Sequence, residues 1–184
     1  MRYRTSETDV RERAARVKLL LLDVDGVLTD GSLIIHHDGE ESKIFHAHDG
    51  LAIRLLQKAG IEVGLISGRK SAAVARRAAD LEIELLAQGS LDKKTVYEEM
   101  LRRRQLSDLE VAYVGDDLVD IPVLERVGLA VAVANATPIV QSRCHLITSI
   151  GGGRGAVREV SELLLQAQGR WEEVIASYII AGSS

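Results

Sequence analysis

The sequence predicts an α/β fold, a Rossmann-like three-layer sandwich with a mainly parallel sheet, on three observations. Short apolar runs alternate with stretches of helical period, the runs stop abruptly at polar residues, and 184 residues suffice for one core. The first run, Leu19 to Leu22, is too short for a membrane span and ends in Asp23-Val24-Asp25-Gly26. A buried parallel strand reads this way where its carboxyl end opens into a site. On a regular strand Asp23 and Asp25 share a face, and two close carboxylates repel unless a cation or a proton intervenes. Mg²⁺ suits such a site, because it prefers oxygen ligands and keeps waters and a substrate phosphate around it. The same stretch also fits a strand running into a solvated Asp-Gly turn.

One domain is expected, with a core over about 17–168, an N-terminal extension over 1–16 and a tail over 169–184. The stretch from Met1 to Lys18 is charged and lacks a signal-peptide core, and no later segment approaches eighteen consecutive apolar residues. A cytoplasmic protein without a membrane segment is therefore expected. A net charge of −4, a pI near 5.8 and 3% aromatics leave neither a basic footprint nor stacking platforms for nucleic acid. The single cysteine, Cys144, rules out an intrachain disulfide and fits a reducing compartment.

After Asp30, Ser32 to His37 and Ser42 to His46 flank Asp38-Gly39, which predicts a hairpin lengthened by Glu40 and Glu41. His46 and His48 alternate as zinc ligands can, but no cysteine or further histidine lies at zinc spacing, so solvated or hydrogen-bonded histidines are the better reading. Asp49 is the expected N-cap of a helix carrying Leu51, Leu55 and Ala59, closed by Gly60.

The run Ile61 to Ile66 stops at Ser67-Gly68-Arg69, and a helix follows from near Ser71 through Asp80. Ser67 and the amides beyond it can bind phosphate oxygens, and Arg69 offers a planar fork for phosphate or carboxylate. Taken by itself, the stretch reads better as an ordinary strand-to-helix turn with Ser67 capping. Ile83 to Leu86 is a short strand, and Lys93 and Lys94 open a helix to about Arg104. Cations there oppose the helix dipole, an odd placement unless one of them faces an anion, although both extending into water would cost little.

Val111 to Gly115 is a strand that ends in Asp116-Asp117-Leu118-Val119-Asp120, a second acidic cluster at a second strand end. Carboxylates from two strand ends can converge on one metal; Asp116 is the better ligand and Asp120 a support. Pro122 opens the next helix, Leu129 to Val133 is a strand, Asn135 to Cys144 a loop with a short helix, and His145 to Thr148 an edge strand. Gly151-Gly152-Gly153-Arg154-Gly155 feeds a helix with Val157, Val160, Leu164 and Gln168 on one side. No GK[ST] follows it, so it is not a P-loop. Trp171 to Ile180 is an amphipathic tail whose apolar end suggests docking on a partner subunit.

Taken in order, DVDGVLTDG, LISGR, DKK and GDDLVD resemble the four motifs of the haloacid dehalogenase superfamily of phosphotransferases, from about Lys18 to the C-terminus. The intervals from Asp30 to Ile61 and from Arg69 to Lys93 leave no room for a cap domain, which points to the capless group. The resemblance implies a HAD-like phosphatase in which Asp23 attacks phosphorus and Asp25 serves as acid and then base. It also implies Mg²⁺ held by Asp23, by Asp116 and by the backbone carbonyl of Asp25, with Asp117 and Asp120 in support. Ser67, Gly68 and Lys93 would hold the phosphoryl group, and Arg69, Arg77, Asp49 and Gly50 would bind substrate. Ser67 stands where the family often has Thr. The implied partner is a phosphorylated keto-deoxy sugar acid of eight or nine carbons, and the implied assembly a homotetramer. A receiver-like module that senses phosphate is the non-catalytic alternative, although such a module has no need of a second carboxylate like Asp25.

Overall fold

Leu19–Leu22 forms β2, and every one of its side chains is buried. It is flanked on both sides by parallel partners, β5 (Glu62–Ser67) and β7 (Val111–Gly115). A strand covered on both faces has no solvent side, so it lacks the usual apolar-polar alternation. The computed structural model describes residues 1–181, without the side chains of 180 and 181. Residues 182–184 of the expected tail, and the side chain of Ile180 in its apolar end, lie outside this description.

The remaining elements are β1 (Arg2–Tyr3), α1 (Glu7–Ala15), β3 (Ile34–Ile35), β4 (Glu41–Ser42), α2 (Ala47–Lys58), α3 (Ala72–Asp80), β6 (Leu85–Gln88), α4 (Lys93–Arg104), α5 (Ile121–Leu124), β8 (Leu129–Ala132), α6 (Pro138–Gln141), β9 (Leu146–Ile147), α7 (Ala156–Ala167) and α8 (Trp171–Ala181). The main sheet runs β1-β9-β8-β7-β2-β5-β6 and is parallel except for β1. From β2 the chain builds outward to β5 and β6, then crosses back to β7 and builds the other way. Right-handed crossovers therefore place α2 and α3 on one face and α4 to α6 on the other. The reversal falls between β2 and β7, where open α/β sheets bind ligands. Leu22 pairs with Leu65 on one side and Val114 on the other, so three strands end almost level.

This is the predicted α/β architecture, and no domain is inserted in either interval where a cap would sit. Several local expectations change. The hairpin strands shrink to two residues each, β3 and β4, joined by a loop in which Gly39 has φ +87°. Asp49 is not the N-cap of α2. That position falls to His46, and Asp49 lies in the first turn with its carboxylate turned to another helix. Leu51, placed on the core side by its spacing, is 42% exposed, while Ala52, Ile53 and Leu56 fill the core instead. β9 is not an edge strand, because β1, from the segment read as an extension, pairs antiparallel with it. α1 packs on α7. Among the described residues no helix is long and apolar enough to cross a membrane.

Candidate active site

Asp23 leaves the end of β2 with its N–H donated to the Val114 carbonyl at 3.0 Å, which ties the end of β2 to the end of β7. The chain then turns instead of continuing extended. Gly26 takes φ +102°, and a β-carbon there would collide with the Asp116 carboxylate. The expectation that Asp23 and Asp25 share a strand face is thereby corrected: they separate, each toward its own cation.

Asp23 accepts a hydrogen bond from the Lys93 ammonium, which also donates to Asp120 Oδ1 at 2.7 Å. Lys93 opens α4 as expected and is only 2% exposed, while Lys94 is exposed. The oddity at the helix start is thus resolved by two buried anions. Burial lowers the affinity of Lys93 for its proton, but the charges of Asp23 and Asp120 outweigh this and hold the ammonium above its usual range. Asp120 is fully buried, and it also accepts from Tyr113 Oη at 2.6 Å and from the N–H groups of Asp116 and Asp117 at 2.9 and 3.2 Å. Four donors thus converge on Asp120, and they tie the loop after β7 to Lys93 and Tyr113. Asp117 is exposed and caps the turn that follows by accepting from the Leu118 N–H at 2.8 Å.

Carboxylate oxygens of Asp23, Asp116 and Asp120 lie within 4.8 Å of one another. Burial pushes the Asp23 carboxyl up to about 6 despite Lys93. Burial, then the charges of Asp23, Asp120 and Asp117, push Asp116 up to about 8. Crowded, half-dehydrated carboxylates of this kind are what a hard divalent cation relieves. Because Asp120 is saturated, Asp23 and Asp116 are the carboxylates that fit a cation. Asp25 stands outside this cluster.

Asp25 pairs with Lys43, which follows β4, and Arg69 Nε lies 3.9 Å from its other oxygen. Ser67, buried at the end of β5, accepts from the Arg69 N–H at 3.2 Å, which leaves its O–H to donate. Gly68 follows; a β-carbon on it would sit 3.1 Å from Leu91. The Arg69 guanidinium is held by Glu41 of β4 at 2.9 Å. Arg77 lies elsewhere, over the Phe45 ring at 5.7 Å and against Gly50, where a β-carbon would meet its guanidinium. Asp49, 1% exposed, accepts from the N–H groups of Gly155 and Arg158 at 3.2 and 2.8 Å and so caps α7. Burial raises its carboxyl against those bonds. His46 and His48 meet edge to face with centroids 5.0 Å apart.

The glycine-rich loop also has its use. The Gly153 N–H donates to the Val27 carbonyl at 2.9 Å, the Gly152 N–H donates to Asn135 at 2.7 Å, and a β-carbon on Gly152 would overlap the Gly26 carbonyl. The loop therefore clamps the turn after Asp23. Sequence reasoning passed over Tyr113, Asn135, Glu41 and Lys43. Tyr113 had a signal, since a tyrosine inside a buried strand needs a hydrogen-bond partner.

A family model for haloacid dehalogenase-like hydrolases matches residues 83–151. The chain is 47% identical over 171 residues to the 3-deoxy-D-manno-octulosonate 8-phosphate phosphatase of Escherichia coli K12, covering 93% of this chain and 91% of that one. The crystal structure of the Yersinia pestis phosphatase of the same name superposes with a TM-score of 0.88 at 48% identity, covering 89% of each chain. That of the Moraxella catarrhalis phosphatase, in complex with magnesium, phosphate and KDO, gives 0.92 at 37% identity, over 94% of this chain and 99% of that one.

Proposed function

Because this chain belongs to the 3-deoxy-D-manno-octulosonate 8-phosphate phosphatases of the haloacid dehalogenase-like hydrolases, we infer that it is a Mg²⁺-dependent phosphatase releasing phosphate from that sugar acid. The carrying observation is the convergence of Asp23 and Asp116 from two strand ends beside a buried Lys93. In the mechanism we propose, an Asp23 oxygen attacks phosphorus in line, and the bond from phosphorus to the sugar oxygen breaks, its electron pair staying on that oxygen. Asp25 gives the oxygen a proton. It then takes one from the water that attacks the resulting aspartyl-phosphate, so phosphate leaves and both aspartates are regenerated.

Asp23 and Asp116, with the backbone carbonyl of Asp25, would hold the cation. When bound, it neutralises the charge that would otherwise repel nucleophile from phosphate. Ser67 O–H, the Gly68 amide and Lys93 stabilise the phosphoryl oxygens as charge builds on them. Arg69 is assigned to the carboxylate of the sugar acid, which must compete with Glu41 for the fork; Arg77, Asp49 and Gly50 lie apart from it and act on the pocket through the packing of α2 with α3 and α7. A homotetramer in the cytoplasm, serving inner-core lipopolysaccharide sugar synthesis, completes the proposal.

The test is released phosphate from a panel of eight- and nine-carbon keto-deoxy acid phosphates and hexose phosphates, with and without chelator. We expect Mg²⁺-dependent turnover that favours the eight-carbon acid and that Asp23→Asn and Asp25→Asn each abolish. Wild-type turnover in either variant overturns the mechanism.

A further inference from the structure

Lys43 belongs to none of the family motifs and follows a two-residue strand on a hairpin, where a lysine ordinarily extends into water. Its side chain is instead 1% exposed. The ammonium donates to Asp25 Oδ1 and lies 3.4 Å from Glu41 Oε1. Glu41 Oε2 in turn accepts from Arg69 at 2.9 Å. A chain of charges thus runs from the hairpin to the turn after β2 and the loop after β5.

Asp25 needs such a hold. It sits beside Gly26 on a turn, and its half-buried carboxylate lies outside the Asp23, Asp116 and Asp120 cluster that orders the other acids. We propose that Lys43 is the positioning residue of the proton-transfer step, fixing Asp25 through Oδ1 and leaving Oδ2, which lies 3.9 Å from Arg69 Nε, to serve the leaving oxygen. This rests on the mechanism above, in which Asp25 is the acid. As the bond from phosphorus to the sugar oxygen breaks, that oxygen keeps the electron pair and takes the proton from Oδ2, while Lys43 keeps its own proton. A carboxyl held through one oxygen has a single geometry to offer, and positioning to within fractions of an ångström is what makes a proton transfer efficient.

Leaving-group chemistry separates this role from a packing role. A sugar alkoxide cannot depart without a proton, whereas para-nitrophenolate can. The measurement is kcat/KM, which reports events up to the first bond cleavage, for the keto-deoxy sugar phosphate and for para-nitrophenyl phosphate. For Lys43→Gln and Lys43→Met we expect the sugar-to-aryl ratio to fall about tenfold or more, and Lys43→Arg to restore it to within about threefold. Measuring both neutral variants guards against one of them failing to fold. An unchanged ratio, both substrates losing equally, or an arginine variant as poor as glutamine overturns the proposal. Asp25→Asn is the control. If wild type hydrolyses the sugar phosphate and Asp25→Asn lowers the ratio, the mechanism stands whatever Lys43 does; if either fails, the mechanism itself has failed.

Discussion

Asp116 carries a consequence for metal and pH together. Its carboxyl is raised to about 8 by burial and by the neighbouring carboxylates, above the ordinary unfolded value of about 4. The folded protein therefore holds this proton more tightly than the unfolded chain. The associated stability is fully present below the unfolded pKa and is lost as pH rises toward 8 and through it. A divalent cation must displace that proton, so its stabilisation grows over the same window. Thermal unfolding with and without Mg²⁺ should show a larger Mg²⁺-induced rise in Tm at pH 8.5 than at pH 5.5. In metal-free buffer at pH 8.5, Asp116→Asn should melt above wild type; an equal or smaller Mg²⁺ effect at the higher pH refutes this account. At this scale the site was partly legible. Asp23, Asp116 and Lys93 stood out because charge at the end of an apolar run, or at the wrong end of a helix, conflicts with local preference. Lys43 did not, because a hairpin lysine conflicts with nothing until the tertiary structure buries it.

At the scale of elements, the bounds of α4 and β7 match the expected Lys93 to Arg104 and Val111 to Gly115. Each has an unmistakable local stop: an Asp92 cap accepting from the Thr95 N–H at 3.1 Å, and a strand ending in acids. Asp49 shows where local reading ends. A capping residue was recognised, but the helix it caps is α7, whose Arg158 is 109 residues away. Only the packing of α2 against α7 brings them together. Asp49→Ala should leave two amides at the α7 terminus unpaired and cost about 1–2 kcal/mol in urea unfolding. Asp49→Asn, which keeps an acceptor, should cost less. Wild-type stability of the alanine variant would remove this bond from the account of how α2 and α7 are joined.

For the molecule as a whole, alternating runs and strand-end acids disclosed the class of fold, while a two-residue strand such as β1 has no period to detect. The apolar side chains left outside the core bear on assembly. Leu33, Ile35 and Ile44 on the hairpin, Leu91 beyond β6 and Leu118 beyond β7 are exposed, Ile35 and Ile44 at 66% and 69%. Such a surface, beside a site with no cap over it, is suited to contact between copies. Light scattering should give a mass about four times the 20.0 kDa chain, with Ile35→Glu and Ile44→Glu shifting it to smaller species. A fully active wild-type monomer would exclude the tetramer.

The grip of the glycine-rich loop on the turn after Asp23 bears on how the enzyme is made. The turn's first residues leave the ribosome early, yet Asn135 reaches the Gly26 carbonyl from 109 positions downstream, and Gly152 and Gly153 come later still. Asp23 is thus synthesised early, while the contacts that hold the turn after it come from residues made much later. Nascent chains halted before that loop carry the carboxylate but lack those contacts.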